Sequence, residues 1–205
     1  MITDRSNLFF QGVGADKVWP ATELLVDCLD HVLRAPRAEA NVAIELGAGC
    51  GVAGMWLARR GWRVVLTDLP WLLPLTHLNV EANFGRTNFA APSGDEPAAL
   101  QAPRVAALRW GCDVDAASLP TPNLVIGSDV AYEVEDFGPL LATLDHLTAD
   151  HAILAIPIRD GCDAQFGTLA RSLGWSVNLV APHTSAAEQC TLRRVTTLEL
   201  KRDRV

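Results

Sequence analysis

The chain has 205 residues, 49% of them hydrophobic, and a formal net charge of −7. That length suits one domain with a full core, so no disulfide or metal staple is needed to hold it together. The acidic balance, without any run or stripe of Arg and Lys, argues against nucleic acid as a partner and is compatible with a basic, lysine-bearing protein.

The five cysteines form no C-x-x-C pair and the five histidines no H-x-x-x-H spacing. Neither a disulfide framework nor a zinc site is expected, and the compartment reads as reducing: cytoplasmic, with the nucleus as the alternative. No apolar run approaches ~18 residues, so no transmembrane helix is expected, and the polar start does not read as a secretory signal. Residues 1–12 are set aside as a flexible N-terminus and 13–205 are read as one domain. A monomer without metal or membrane attachment is the expectation.

Short apolar runs alternate with helical patterns along the chain, the mark of an α/β fold with a mostly parallel sheet. A helix is expected at 21–34, with Leu25, Leu29, Val32 and Leu33 on one face. A buried-type strand at Val42–Leu46 runs into a glycine turn, and a short helix at 52–60 stops at Gly61. The second strand, 63–67, ends at Asp68, and a helix at 72–83 carries Pro74 in its first turn. Residues 85–103, rich in Ala, Pro and Gly, read as a surface loop. Strands follow at 105–109 and Leu124–Ser128, then an amphipathic helix marked by Phe137, Leu140, Leu141, Leu144 and Leu147. A strand at 152–158 and a helix ending near Gly174 lead to two last strands, Ser176–Val180 and Val195–Lys201. With no helical pattern between them, these two are expected to close the sheet as an antiparallel pair.

The densest constellation is the turn Gly47-Ala48-Gly49-Cys50-Gly51 after the first strand. Alternate glycines let the backbone bend sharply and approach a ligand, and the next helix offers free N–H groups to it. Asp68, followed by Leu69 at the end of the second strand, is placed to accept hydrogen bonds from ribose hydroxyls. Gly49, Gly51 and Gly54 also satisfy the dinucleotide fingerprint, which alone is weak. Glu45, just before the turn, favours S-adenosylmethionine: a carboxylate suits an ammonium and a sulfonium better than a pyrophosphate. The chain is also short for a second, substrate-binding domain.

Several stretches together carry a resemblance: Val18-Trp19-Pro20, Glu45 to Gly51, Leu66-Thr67-Asp68, Leu78 to Asn83, Leu108-Arg109-Trp110-Gly111, and Gly127-Ser128-Asp129-Val130-Ala131-Tyr132. In this order and spacing the chain resembles the seven-strand, class I methyltransferases of the protein-lysine type, methyltransferase family sixteen. The resemblance implies a Rossmann-like, mostly parallel seven-stranded sheet with helices on both faces and an antiparallel C-terminal strand. It implies S-adenosylmethionine as cofactor, S-adenosylhomocysteine as product, and a protein lysine as acceptor. Trp19 would close over the cofactor, Gly47, Ala48 and Gly49 would hold its methionine part, Asp68 its ribose, and Trp110 would border the adenine. Ser128, where relatives often carry Ala, would line the cofactor site. The chain departs from the pattern before Trp19, where it is short, and after the fifth strand, where Ala155-Ile156-Pro157-Ile158-Arg159 keeps only Arg159 in familiar form.

At the D-x-x-Y element, Asp129 is expected to hold the incoming amine by a charge-assisted hydrogen bond. Tyr132, the chain's only tyrosine, is expected to line the acceptor channel. Simpler roles stand beside these: Asp129 as a helix cap, Trp110 as plain core, Asn79 and Asn83 as structural hydrogen-bond formers. The rival functions are a class I methyltransferase of small molecules, a cofactor-binding module without turnover, and, more remotely, a nicotinamide-dependent oxidoreductase.

Overall fold

The structure, a computed structural model, describes residues 17–33, 41–85, 101–181 and 195–202. The start expected to be flexible, most of the loop expected at 85–103 and the segment joining the last two strands lie outside them. Within them seven strands are β1 (Val42–Leu46), β2 (Arg63–Asp68), β3 (Arg104–Ala107), β4 (Leu124–Ser128), β5 (His151–Pro157), β6 (Ser176–Val180) and β7 (Val195–Lys201). The helices are α1 (Pro20–Val32), α2 (Val52–Ala58), α3 (Leu73–Phe84), α4 (Asp113–Ala117), α5 (Val134–His146) and α6 (Cys162–Ser172).

The strands form one sheet in the order β3-β2-β1-β4-β5-β7-β6. Pairing is parallel from β3 through β5. β7 runs antiparallel to both neighbours, wedged between β5 and β6. The expected mostly parallel sheet with an antiparallel C-terminal strand is what forms. Because successive strand side chains point to opposite faces, each strand supplies two cores. On one face Ile44 and Leu46 pack with Phe137, Leu140, Leu141 and Phe166 of α5 and α6. On the other, Ala43, Val64 and Leu66 pack with Leu25 and Leu29 of α1, Leu57 of α2 and Val80 of α3. Phe137 and Phe166 meet edge to face, 5.4 Å between centroids, a favoured aromatic geometry.

Two differences from the sequence expectation have local causes. Helix α4 was not foreseen, because it has five residues and buries only Ala116, too short a stretch to show a helical period. β3 ends at Ala107 rather than at 109. Leu108 to Trp110 therefore leave the sheet and become a wall of the cleft described next.

The chain builds outward from β1 to β2 and β3, then returns to place β4 on the other side of β1. Open α/β sheets bind ligands in the crevice at such a reversal, beyond the carboxyl ends of the strands. Gly47 follows β1 and Asp129 follows β4, so the two richest motifs of the sequence meet at that crevice.

Candidate active site

A cleft of about 930 Å³ opens over these strand ends. Its walls include Trp19, Gly47, Ala48, Gly49, Asp68, Leu69, Trp110, Ser128, Asp129 and Tyr132. The structure thus gathers all but two of the residues selected from sequence. It adds Lys17, Thr22, Val52, Leu72, Leu108, Arg109, Asp136, Pro139 and Arg159, among others.

The floor is the glycine turn. Gly47 and Gly49 take left-handed backbone angles, φ 60° and 49°, which a side chain would strain. Two neighbouring elements hold the turn. From β2, Asp68 Oδ2 accepts the Gly49 N–H at 2.7 Å, while Oδ1 accepts the Leu69 N–H at 2.8 Å. From α3, the Thr76 hydroxyl donates to the Gly49 carbonyl at 2.8 Å and the Asn79 amide to the Cys50 carbonyl at 3.1 Å. Asn83 in turn donates to the Asn79 carbonyl at 2.8 Å, so both asparagines are structural. Asp68 has a second duty beyond the expected one: it orders the turn as well as facing the cleft. Burial pushes its carboxyl up, and the two backbone bonds draw it partly back.

Glu45 and Gly51 stand back from the cleft. Glu45 was expected beside the ligand, but strand alternation aims it at α2 instead. It is 1% exposed, and its Oε2 accepts the Gly54 N–H at 2.8 Å. Burial pushes its carboxyl up to about 8, so near neutral pH it is largely a neutral acid under α2 rather than a carboxylate facing a cation. Gly51 is the left-handed N-cap of α2, φ 74°, and a Cβ there would press on Leu66 Cδ1 at 2.8 Å. It serves close packing of the turn on β2.

This placement of Glu45 sets a pH dependence. A carboxyl whose folded value lies above its unfolded value, 4.5 against about 8, binds more protons when folded. Its contribution to stability is therefore full below 4.5 and is lost as pH rises through 8. Glu45→Gln keeps an acceptor for Gly54 and removes the titration. The unfolding midpoint of the variant should fall less between these two pH values than that of the wild-type protein, with Asp68 leaving a residual slope of the same sign. Equal slopes in thermal scans would refute the assignment.

The wall of the cleft built by Leu108 and Trp110 is apolar. Trp110 packs partly against the core below α5, and a Cβ at Gly47 would lie 3.4 Å from its ring. Trp110 is thus both core and cleft wall. The next residue is tied down: the Gly111 N–H donates to the Thr143 hydroxyl at 2.8 Å, which itself donates to the Pro139 carbonyl at 2.9 Å.

The D-x-x-Y element follows β4 into the same cleft. Asp129 and Ala131 both have φ 56°, and the Asp129 N–H donates to the Ala155 carbonyl at 2.9 Å. Asp129 does not cap α5. The N-cap is Glu133, which makes no side-chain cap bond. Burial pushes the Asp129 carboxyl up and the nearby Arg159 guanidinium draws it down. Tyr132 is 42% exposed. Burial raises its phenol, and the charges of Asp136, Asp129, Glu133 and Asp68 raise it further. It therefore works as a hydroxyl at neutral pH, not as a phenolate base.

The profile of the lysine methyltransferase family matches residues 7–172. The chain belongs to the lysine methyltransferase family. It is 34% identical over 154 residues to protein N-lysine methyltransferase METTL21A of Mus musculus, covering 74% of this chain and 65% of that one. It is 36% identical over 144 residues to EEF1A lysine methyltransferase 3 of Mus musculus, covering 70% and 54%. The matched stretch thus spans 54% to 65% of the length of these curated relatives. In fold, it is similar to magnesium protoporphyrin IX methyltransferase of Synechocystis PCC 6803 solved with bound SAH, with TM-score 0.65 and 13% identity, covering 95% and 96% of the two chains.

The family's cofactor, S-adenosylmethionine, suits the residues present. The side-chain-free turn at Gly47 and Gly49 lets the backbone approach it, Asp68 keeps acceptor lone pairs at the cleft wall, and Trp110, Leu108 and Leu72 offer apolar surface to a base. Cleft residues that the sequence did not reveal, such as Thr22 and Pro139, sit inside helices. Only the tertiary fold turns them toward the site.

Proposed function

We propose that the protein transfers a methyl group from S-adenosylmethionine to the ε-amine of a lysine in a protein substrate. The observation that carries this is the sharing of one cleft by two parts: the glycine turn with Asp68, and the Asp129–Tyr132 pair. When bound, the cofactor supplies an electrophilic methyl on a sulfonium. The chain's own residues bind, orient and exclude water. Gly47, Ala48, Gly49 and Asp68 hold the methionine and ribose parts, Trp110 and Leu108 the base, and Trp19 covers the cleft from α1.

At the mouth, Asp129 accepts an N–H of the incoming amine. Methyl transfer needs the amine neutral, and a free lysine titrates near ~10.4. A cleft that removes water from the amine lowers that value, and the proton leaves toward solvent past the half-exposed Tyr132. The hydroxyl of Tyr132 and its ring face orient the nitrogen. The acidic chain, without a basic stripe, favours a basic protein segment over nucleic acid as partner. We place the protein in the cytoplasm or nucleus, acting as a monomer.

The test is transfer of labelled methyl from S-adenosylmethionine to proteins of a cell lysate. Label in protein bands, removed by Lys→Arg exchange in the acceptor, is the expected result. Label found solely in small molecules would overturn the protein acceptor. Failure to bind S-adenosylhomocysteine in calorimetry would overturn the cofactor assignment.

A further inference from the structure

The apolar face of α1 fixes the body of that helix. Ala21, Leu24, Leu25, Cys28 and Leu29 are all buried. Its first turn, which includes the buried Ala21, is the part that reaches the cleft, and it carries a second, polar attachment. Trp19 is the N-cap, 36% exposed, and makes no side-chain cap bond. The Thr22 N–H donates to the Trp19 carbonyl at 2.9 Å. The Thr22 side chain is turned inward, 7% exposed. Its hydroxyl lies 2.9 Å from the Ser128 hydroxyl, a bond between residues 106 apart in sequence. Ser128 is the last residue of β4, directly before Asp129. Both residues line the cleft.

We propose that Thr22 and Ser128 form a latch that sets the first turn of α1, and with it Trp19, over the cofactor. The proposal rests on the reading of the cleft as an S-adenosylmethionine site. Thr22 is a positioning residue: its backbone holds Trp19 and its side chain holds β4. A hydroxyl pair suits this duty. One hydroxyl donates to the other, and neither is left unsatisfied in a largely buried place. Without the bond the apolar face still docks α1 on the sheet, but Trp19 loses its fixed register over the glycine turn.

The experiment is calorimetric titration of S-adenosylhomocysteine into wild-type protein, Thr22→Val, Thr22→Ser, Ser128→Ala, Trp19→Ala and the pair Thr22→Val with Trp19→Ala. Thr22→Val is nearly isosteric and should weaken binding roughly three- to tenfold, the value of one hydrogen bond. Ser128→Ala should lose a similar factor, and Thr22→Ser should restore wild-type affinity. In the Trp19→Ala background, Thr22→Val should cost nothing further, because the latch acts through Trp19. Wild-type affinity in both Thr22→Val and Ser128→Ala would overturn the latch. So would losses at Thr22 and Trp19 that multiply, the result of a general effect on the fold. Wild-type protein that does not bind S-adenosylhomocysteine would overturn the functional reading beneath it.

Discussion

Replacing Asp129 with Ala should cut methyl transfer ~30- to 100-fold while leaving the affinity for S-adenosylhomocysteine within about twofold, the loss expected of one charge-assisted hydrogen bond made to the acceptor. Asp129 touches the cleft from the β4 side, and the turn beneath the cofactor is held by other groups. Asp68→Ala should show the reverse pattern. It frees the N–H groups of Gly49 and Leu69 from their acceptor and removes the proposed ribose partner, so affinity should fall first. Single-turnover rates at saturating cofactor, measured beside calorimetric affinities, separate the two. An Asp129→Ala enzyme with full single-turnover rate would remove that carboxylate from the chemistry. Equal affinity in Asp68→Ala would remove the other from the cofactor.

The largest effect on stability is expected at Gly54→Ala. In an exposed helix this exchange helps, but here the added methyl has nowhere to go. It would overlap Leu66 Cδ2, lie 2.6 Å from Glu45 Oε2 and 3.0 Å from Val64 Cγ1. Helix α2 must then move off β2, or Glu45 must swing aside and abandon the Gly54 N–H. Overpacking of this kind costs roughly 2–3 kcal/mol, and the unfolding midpoint should drop about 5–10 °C. Because α2 starts directly after the glycine turn, cofactor affinity should fall as well. An unfolding midpoint equal to wild type would show that α2 rides further from the sheet than the structure places it.

Gly54 and Glu45 also show where a sequence can and cannot be read. The third glycine of the dinucleotide-like fingerprint does serve close packing of helix on strand, as in dinucleotide-binding folds. It carries no information about which nucleotide binds. The charge of Glu45 and its distance from the turn are visible in sequence. What decided its place was the two-residue period of the strand. Ala43 belongs to the α1–α2 core and Ile44 to the α5–α6 core, so Glu45 had to follow Ala43. Asp68 and Asp129 both line the cleft, because both stand at strand ends, where the chain turns toward the crevice whatever the strand's own period. Trp19 and Trp110 reached it through the family pattern. Thr22, Pro139 and Asp136 were invisible because a helix shows its buried face in sequence but not which strand end that face meets. The extension of α5 back to Val134, before its first strong apolar residue, was hidden for the same reason.

The wedging of β7 between β5 and β6 has a consequence for biosynthesis. A strand near the end of the chain fills an interior place in the sheet, so sheet order and order of synthesis disagree. While the ribosome holds residues beyond Val180, β1 to β5 can assemble, complete with the glycine turn and Asp129. During that interval β5 is an open edge, its Ile153, Leu154 and Ile156 later wholly buried, and β6 has no strand to pair with. Such an edge invites pairing with another nascent chain. A message truncated before Val195 would thus yield a product that holds every residue of the cleft described above and still cannot close its sheet.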